Sequence, residues 1–263
     1  MGLDLSKPFF IFRNMILEKF ILFRNKRLPK THVFKSDFPY DEHFHQLEFD
    51  NHKFSINAIH LKAKQPKGLV FFLHGTLKHI QYHIPLCYEF LQNHYDVYLL
   101  DYPTYGKSTG KINEAFLYQI VHQVYIESLK NEHSKKINYE KKIIIGRSLG
   151  TALASNLATK VKADELVLIT PYYNMPDLIG HLLKRKKPAK LKTYLPNHEY
   201  IPNVKIPITI FHGTKDRLIP HSIAEKLKQH LKPNDSFITL SNSTHFNVHL
   251  HDDYKIKIKN ILS

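Results

Sequence analysis

Apolar and polar residues change rhythm along this chain, and each change marks an element. "HQLEFD" (45–50) and "FSINAIHLKA" (54–63) alternate apolar with polar residues. That is the period of a half-buried strand, and it predicts an antiparallel pair turning at "NHK". Farther on, the strands become continuous apolar runs: "GLVFFLHG" (68–75), "DVYLLDYP" (96–103), "KKIIIGRS" (141–148), "ELVLIT" (165–170), "IPITIFHG" (206–213) and "DSFITLS" (235–241). Helix-forming stretches separate them at 82–94, 113–132, 149–160 and 219–231, and 252–262 closes as a helix. Phe116, Ile120 and Val124 mark the inner face of the long one, and Ile223, Ala224, Leu227 and Leu231 that of another. Apolar strands alternating with helices need cover on both sheet faces. The pattern therefore predicts an α/β fold: about eight strands, mostly parallel, with an antiparallel N-terminal pair and helices on both faces. Residues 171–205 break the rhythm and read as a short, irregular, basic lid insertion.

The first 39 residues form a separate compositional segment, ahead of a domain at 40–263. Residues 1–30 carry seven Lys/Arg against two Asp/Glu, and charges at Arg13, Glu18, Lys19 and Arg24 interrupt their apolar run. No stretch of about 18 uncharged residues exists to span a bilayer, and no small-residue cleavage site follows. Phe12, Ile16, Phe20 and Phe23 share a helical face. Residues 7–30 thus fit an interfacial helix on an anionic membrane surface, or a helix packed across the domain itself.

The net charge of +15 raises nucleic acid, membrane or anionic substrate as partners. No nucleic-acid-binding signature accompanies it, so nucleic acid is not expected. The single cysteine, Cys87, excludes an internal disulfide and points to a reducing, cytoplasmic setting, peripheral on the membrane if the N-terminal segment binds there. Cys87 sits in apolar "IPLCYEFL" and reads as core.

Chemistry concentrates at "GRSLG" (146–150), where a buried strand runs directly into Ala-rich helical sequence. A serine at that junction sits at the tip of a strained turn. The positions two residues to either side must be small, and Gly146 and Gly150 meet that demand. The Leu149 amide, at the helix start, is placed to meet an oxyanion. A serine nucleophile needs a base and an orienting acid. Asp216 follows one later strand and His245 the last. Thr76, in "FLHGT", is expected to supply the second oxyanion amide, with His74 and Gly75 shaping its turn. "HFNVHLH" also has the spacing of metal ligands, but no convergent carboxylates accompany it, and no metal is expected. Ser108 and Thr109 read as turn residues.

Taken in order, "FFLHGT", "DYPTYGKSTG", "GRSLG", "HGTKDRLIP" and "STHF" resemble the α/β-hydrolase superfamily over residues 40–263. The likeness is to compact, small-lid serine hydrolases of the depalmitoylase-like and serine-aminopeptidase-like branches. It implies Ser148 as nucleophile, Asp216 as acid, His245 as base, an oxyanion hole at Thr76 and Leu149, and no cofactor. Two places depart from the family pattern: a bulkier "TLKHIQYH" after Gly75, and Ser243-Thr244 where relatives have Gly-Gly.

The expected reaction is cleavage of a small-molecule carboxylic ester or thioester, on a lipid-like or acyl substrate. Tyr172, Tyr173, Leu178 and Leu182 are candidates for the acyl site. Lys184, Arg185, Lys186, Lys187, Lys190 and Lys192 are candidates for contact with an anion, or a solvated loop. Two alternatives stand beside this: an amidase or aminopeptidase, and a non-catalytic binder at a membrane surface.

Overall fold

The computed structural model describes residues 27–135, 137–184 and 191–263. The expected membrane-facing segment lies outside the described residues up to residue 26, as do Arg185, Lys186, Lys187 and Lys190 of the basic cluster. Residues 27–39 pack on the domain: the Leu28 amide donates to the Gly106 carbonyl, and Phe34 is buried.

Eight strands form one sheet: β1 (Tyr40–Phe49), β2 (His52–Leu61), β3 (Gly68–Leu73), β4 (Tyr95–Leu100), β5 (Lys141–Arg147), β6 (Glu165–Ile169), β7 (Ile208–Gly213) and β8 (Ser236–Leu240). Their order is β1-β2-β4-β3-β5-β6-β7-β8. The β1–β2 and β2–β4 pairs are antiparallel and the rest parallel. The longer helices are α1 (Glu114–Lys135), α2 (Gly150–Ala158), α3 (Met175–Leu182) and α4 (Asp252–Leu262).

Alternation along each parallel strand feeds two cores. Leu69, Phe71 and Leu73 of β3 pack with Phe116 and Ile120 of α1 and Leu153 of α2. Val70 and Phe72 pack on the other face with Phe90 and with Tyr254 and Ile258 of α4. This two-faced burial is why these strands read as unbroken apolar runs. The chain steps from β3 to β4 on one side and then to β5 on the other. The crevice between the ends of β3 and β5 is thus the switch point where open α/β sheets place ligands.

Several elements differ from their sequence reading. β1 starts at Tyr40, ahead of the expected strand, because positions 40–43 are all half-buried and show no inside–outside contrast; His45 is buried with Nε2 2.8 Å from the Tyr98 hydroxyl. The hairpin turns on two residues, Asp50 and Asn51, with φ of 50° and 56°. Those left-handed values suit the twist of the flanking strands. The helix expected over 82–94 is three short pieces, Ile80–His83, Ile84–Cys87 and Tyr88–Gln92, with Pro85, which lacks an amide hydrogen, in the middle one. The helix expected over 219–231 divides into His221–Glu225 and a 3-10 turn, Lys226–His230. The lid region is not irregular throughout. It contains α3, capped by the Asn174 side chain, which accepts from the Asp177 amide at 2.8 Å.

Candidate active site

Ser148 occupies the step between β5 and α2 with φ of 52°. Its amide donates to the Ile169 carbonyl at 2.9 Å, and its carbonyl accepts from the Thr151 amide and hydroxyl. The flanking glycines are required by contact. A Cβ on Gly146 would lie 2.6 Å from Ala154 Cβ, and one on Gly150 would overlap the Leu73 carbonyl oxygen. Strand and helix therefore press together on either side of the serine, and its side chain is left at the carboxyl end of the sheet.

His245 and Asp216 arrive from the loops after β8 and β7. His245 Nδ1 donates to Asp216 Oδ2 at 2.7 Å, both side chains being buried. Asp216 Oδ1 accepts from the Leu218 and Ile219 amides at 2.9 and 2.8 Å. Each carboxylate oxygen thus has a donor, and the acid is fixed in orientation. His212 Nε2 lies 3.5 Å from Asp216 Oδ2 but donates to the Ile219 carbonyl at 2.8 Å. Burial pushes the pKa of His212 down to about 4. His212 is therefore neutral near pH 7, and His245 is the imidazole hydrogen-bonded to Asp216.

The loop that carries His245 is tied at two points. The Arg147 guanidinium donates to the His245 carbonyl at 3.0 Å. Asn247 Oδ1 accepts from the Thr244 amide and hydroxyl at 2.6 and 2.9 Å. This cap stands where a Gly-Gly turn was the family expectation.

Ser148 and His245 line one cavity of about 170 Å³, which also reaches Gly75, Thr76 and Leu149. No direct hydrogen bond joins Ser148 Oγ to His245 among the described residues; such contacts commonly tighten only when substrate is bound. A Cβ built on Gly75 would stand 3.6 Å from Ser148 Oγ, so the turn leading to Thr76 lies against the serine. Much of the remaining wall is apolar, with Leu77, Met175, Leu178, Leu182 and Phe246 among its residues.

The family model for serine aminopeptidases, S33, matches residues 64–201, just over half of the 263 residues. The chain belongs to this family of α/β hydrolases. It is 26% identical over 222 residues to an uncharacterized protein of Acanthamoeba polyphaga mimivirus, covering 76% of this chain and 74% of that one. It is 28% identical over 171 residues to the alpha/beta hydrolase domain-containing protein aho-3 of Caenorhabditis elegans, covering 64% of this chain and 48% of that one. With the human alpha/beta hydrolase domain-containing protein 17B it shares 27% over 176 residues, 64% of this chain and 56% of that one. The match spans about half the length of these last two. Among solved structures, a Pyrococcus furiosus esterase superposes with a TM-score of 0.67 at 19% identity, covering 91% of this chain and 98% of that one. A Pyrococcus horikoshii acylaminoacyl peptidase superposes with a TM-score of 0.64 at 15% identity, covering 84% of this chain and 41% of that one. At these identities the likeness is one of fold.

In this α/β hydrolase the cavity brings together Ser148, His245, Thr76, Leu149, Tyr172, Leu178 and Leu182 of the sequence-derived set, with Asp216 directly behind His245. Tyr173 is a correction. It is not part of the cavity wall, because its ring stacks on His198 at 4.1 Å and its hydroxyl lies 3.3 Å from His230 Nε2. Wall residues without a sequence signal include Leu218 and Phe246, which sit in loops of no clear period, and Tyr82, in the single turn Ile80–His83. Met175 was within reach: "NMPDL" places a capping Asn before a first-turn Pro, a helix start. Cys87 is buried in the core and burial raises its thiol pKa, so it is held as the inert thiol. Ser108 and Thr109 brace β2, accepting from the Asn57 and Ser55 amides. His251 caps α4. Among the described residues one cluster has metal-ligand proximity, Asp41, His43 and His60 on the β1–β2 hairpin; it is not the "HFNVHLH" set.

Proposed function

We propose that this hydrolase cleaves a carboxylic ester or thioester through an acyl-enzyme on Ser148. The observation that carries the reading is that the elbow serine and the Asp216-bound histidine open on one apolar-walled cavity. Ser148 Oγ attacks the carbonyl carbon while His245 Nε2 takes its proton. Asp216 keeps the Nδ1 hydrogen in place and stabilises the imidazolium. The Thr76 and Leu149 amides receive the oxyanion, and one such donor is typically worth ~3–4 kcal/mol. His245 then returns the proton to the departing alcohol or thiol. Water, deprotonated by the same nitrogen, releases the acid. No step calls for a cofactor.

The wall supports an acyl group as the buried part of the substrate. At about 170 Å³ the cavity is smaller than the ~300–1,000 Å³ that encloses a whole drug-sized ligand. A short to medium acyl chain fits inside, with the leaving group at the mouth. The aminopeptidase reading is less well supported, because among the described residues no carboxylate lines the cavity to receive an α-ammonium group. A membrane role for residues 7–30 rests on their charge and apolar face alone.

A fluorophosphonate probe tests the reaction. Ser148 in the wild-type chain is expected to be labelled, and Ser148→Ala to lose both labelling and hydrolysis of p-nitrophenyl esters. A folded wild-type protein that resists the probe supports the non-catalytic binder instead. The same ester panel with anionic vesicles, with and without neutralised Lys and Arg in 7–30, tests the membrane contact.

A further inference from the structure

The turn after β3 is held in an unusual way. Four successive carbonyls, from His74 to Leu77, each accept a hydrogen bond from a side chain. The Tyr102 hydroxyl donates to His74 O at 2.9 Å and the Tyr105 hydroxyl to Thr76 O at 3.2 Å. His74 Nδ1 lies 2.7 Å from Gly75 O, and His83 Nε2 lies 3.2 Å from Leu77 O. A carbonyl oxygen only accepts, so these nitrogens carry the hydrogen.

The direction of the Gly75 carbonyl matters most. It belongs to the same planar peptide unit as the Thr76 N–H, and in a trans peptide the two point opposite ways. Pulling Gly75 O toward His74 therefore turns the Thr76 amide the other way. Among the described residues no acceptor satisfies that amide, and Thr76 lines the cavity. The clamp is itself braced. The His74 ring stacks on His83 at 4.9 Å and lies against Tyr102 at 4.5 Å. Asp101 Oδ1 accepts from the Ile80 amide at 3.0 Å, tying down the far end of the turn.

We propose that His74, Tyr102 and Tyr105 are positioning residues that aim the Thr76 amide at the oxyanion site. The inference rests on the reaction proposed above and adds the residues that preorganise its electrostatics. Neither tyrosine touches the reacting atoms; both are wholly buried, and burial holds their hydroxyls protonated as donors. They come from the "DYPTYG" loop after β4, which gives that loop a purpose in the site.

Tyr102→Phe and Tyr105→Phe remove one hydroxyl each and keep the ring packing. Each is expected to lower kcat about tenfold on a p-nitrophenyl ester with KM within about twofold. That is less than the ~10²–10³ lost when an oxyanion donor itself is deleted. Affinity for a trifluoromethyl ketone, which forms a tetrahedral adduct with the serine, should fall by the same factor. Affinity for the matching methyl ketone, bound without attack, should hold. His74→Asn keeps a donor near Nδ1 and is expected to retain more activity than His74→Leu. Unchanged kcat and unchanged trifluoromethyl ketone affinity in both Phe variants overturns the inference, as does a loss confined to KM. An unlabelled Ser148 in the wild-type chain is a different failure: it removes the reaction, and the positioning role with it.

Discussion

Ser148 holds a left-handed backbone that costs a non-glycine residue on the order of 1–3 kcal/mol. The packing of β5 and α2 around it offsets that cost. Asp216 shows the same over-determination in its hydrogen bonds: two backbone amides and one imidazole fill its two oxygens. Asp216→Asn is therefore expected to keep the fold while presenting an amide to His245 Nδ1. That favours the wrong tautomer, and kcat should fall by about 10⁴. Ester turnover measured beside a circular dichroism spectrum checks it. Loss of activity with loss of fold contradicts the reading, as does retained activity. Ser148, Asp216 and His245 were legible in the sequence because each follows a strand at a fixed offset. Arg147 and His212 were not. Arg147 acts on a carbonyl 98 residues away, and the state of His212 follows from burial, which no local spacing records.

At the scale of elements, the elbow works because β3, β5 and α2 crowd one another. Gly150 on α2 meets the backbone of β3, and backbone cannot rotate away as a side chain can. Gly150→Ala must therefore separate the helix from the sheet, even though alanine favours a helix by itself. The expected cost is at or above the ~1–3 kcal/mol typical of overpacking. A lowered thermal midpoint is the readout, and a midpoint at or above the wild-type value contradicts the packing argument. The parallel strands were readable because burial on both faces leaves them mostly apolar. The pieces around Pro85 and helix α3 were harder. Helices of four to eight residues offer one or two turns, too few for a period to emerge, and their ends are set by caps and prolines.

Across the whole molecule, the two cores enclose histidines that stay neutral. His212 is fully buried, with its pKa pushed down to about 4, and His83 is lowered well below 6.5 by burial first and by His74 next. In the unfolded chain both titrate near 6.5. Between that value and the folded one, the unfolded state binds more protons, so stability rises with pH across the interval. For His212 the contribution is complete above about pH 6.5 and is lost as pH falls toward 4. For His212 the difference corresponds to about 3 kcal/mol, a large share of the ~5–15 kcal/mol that holds most domains. Urea unfolding at pH 7, 6 and 5 should show a steady loss of stability, with about one proton taken up on unfolding near pH 5 by His212 and an uptake of the same sign by His83. His212→Gln keeps a donor for the Ile219 carbonyl and removes the titration, so its slope near pH 5 should be smaller by about one proton. A wild-type stability that is flat from pH 7 to 5 means these rings are not held neutral inside the fold. The neutrality of His212 beside Asp216, which the proposed base role of His245 relies on, then loses its physical ground.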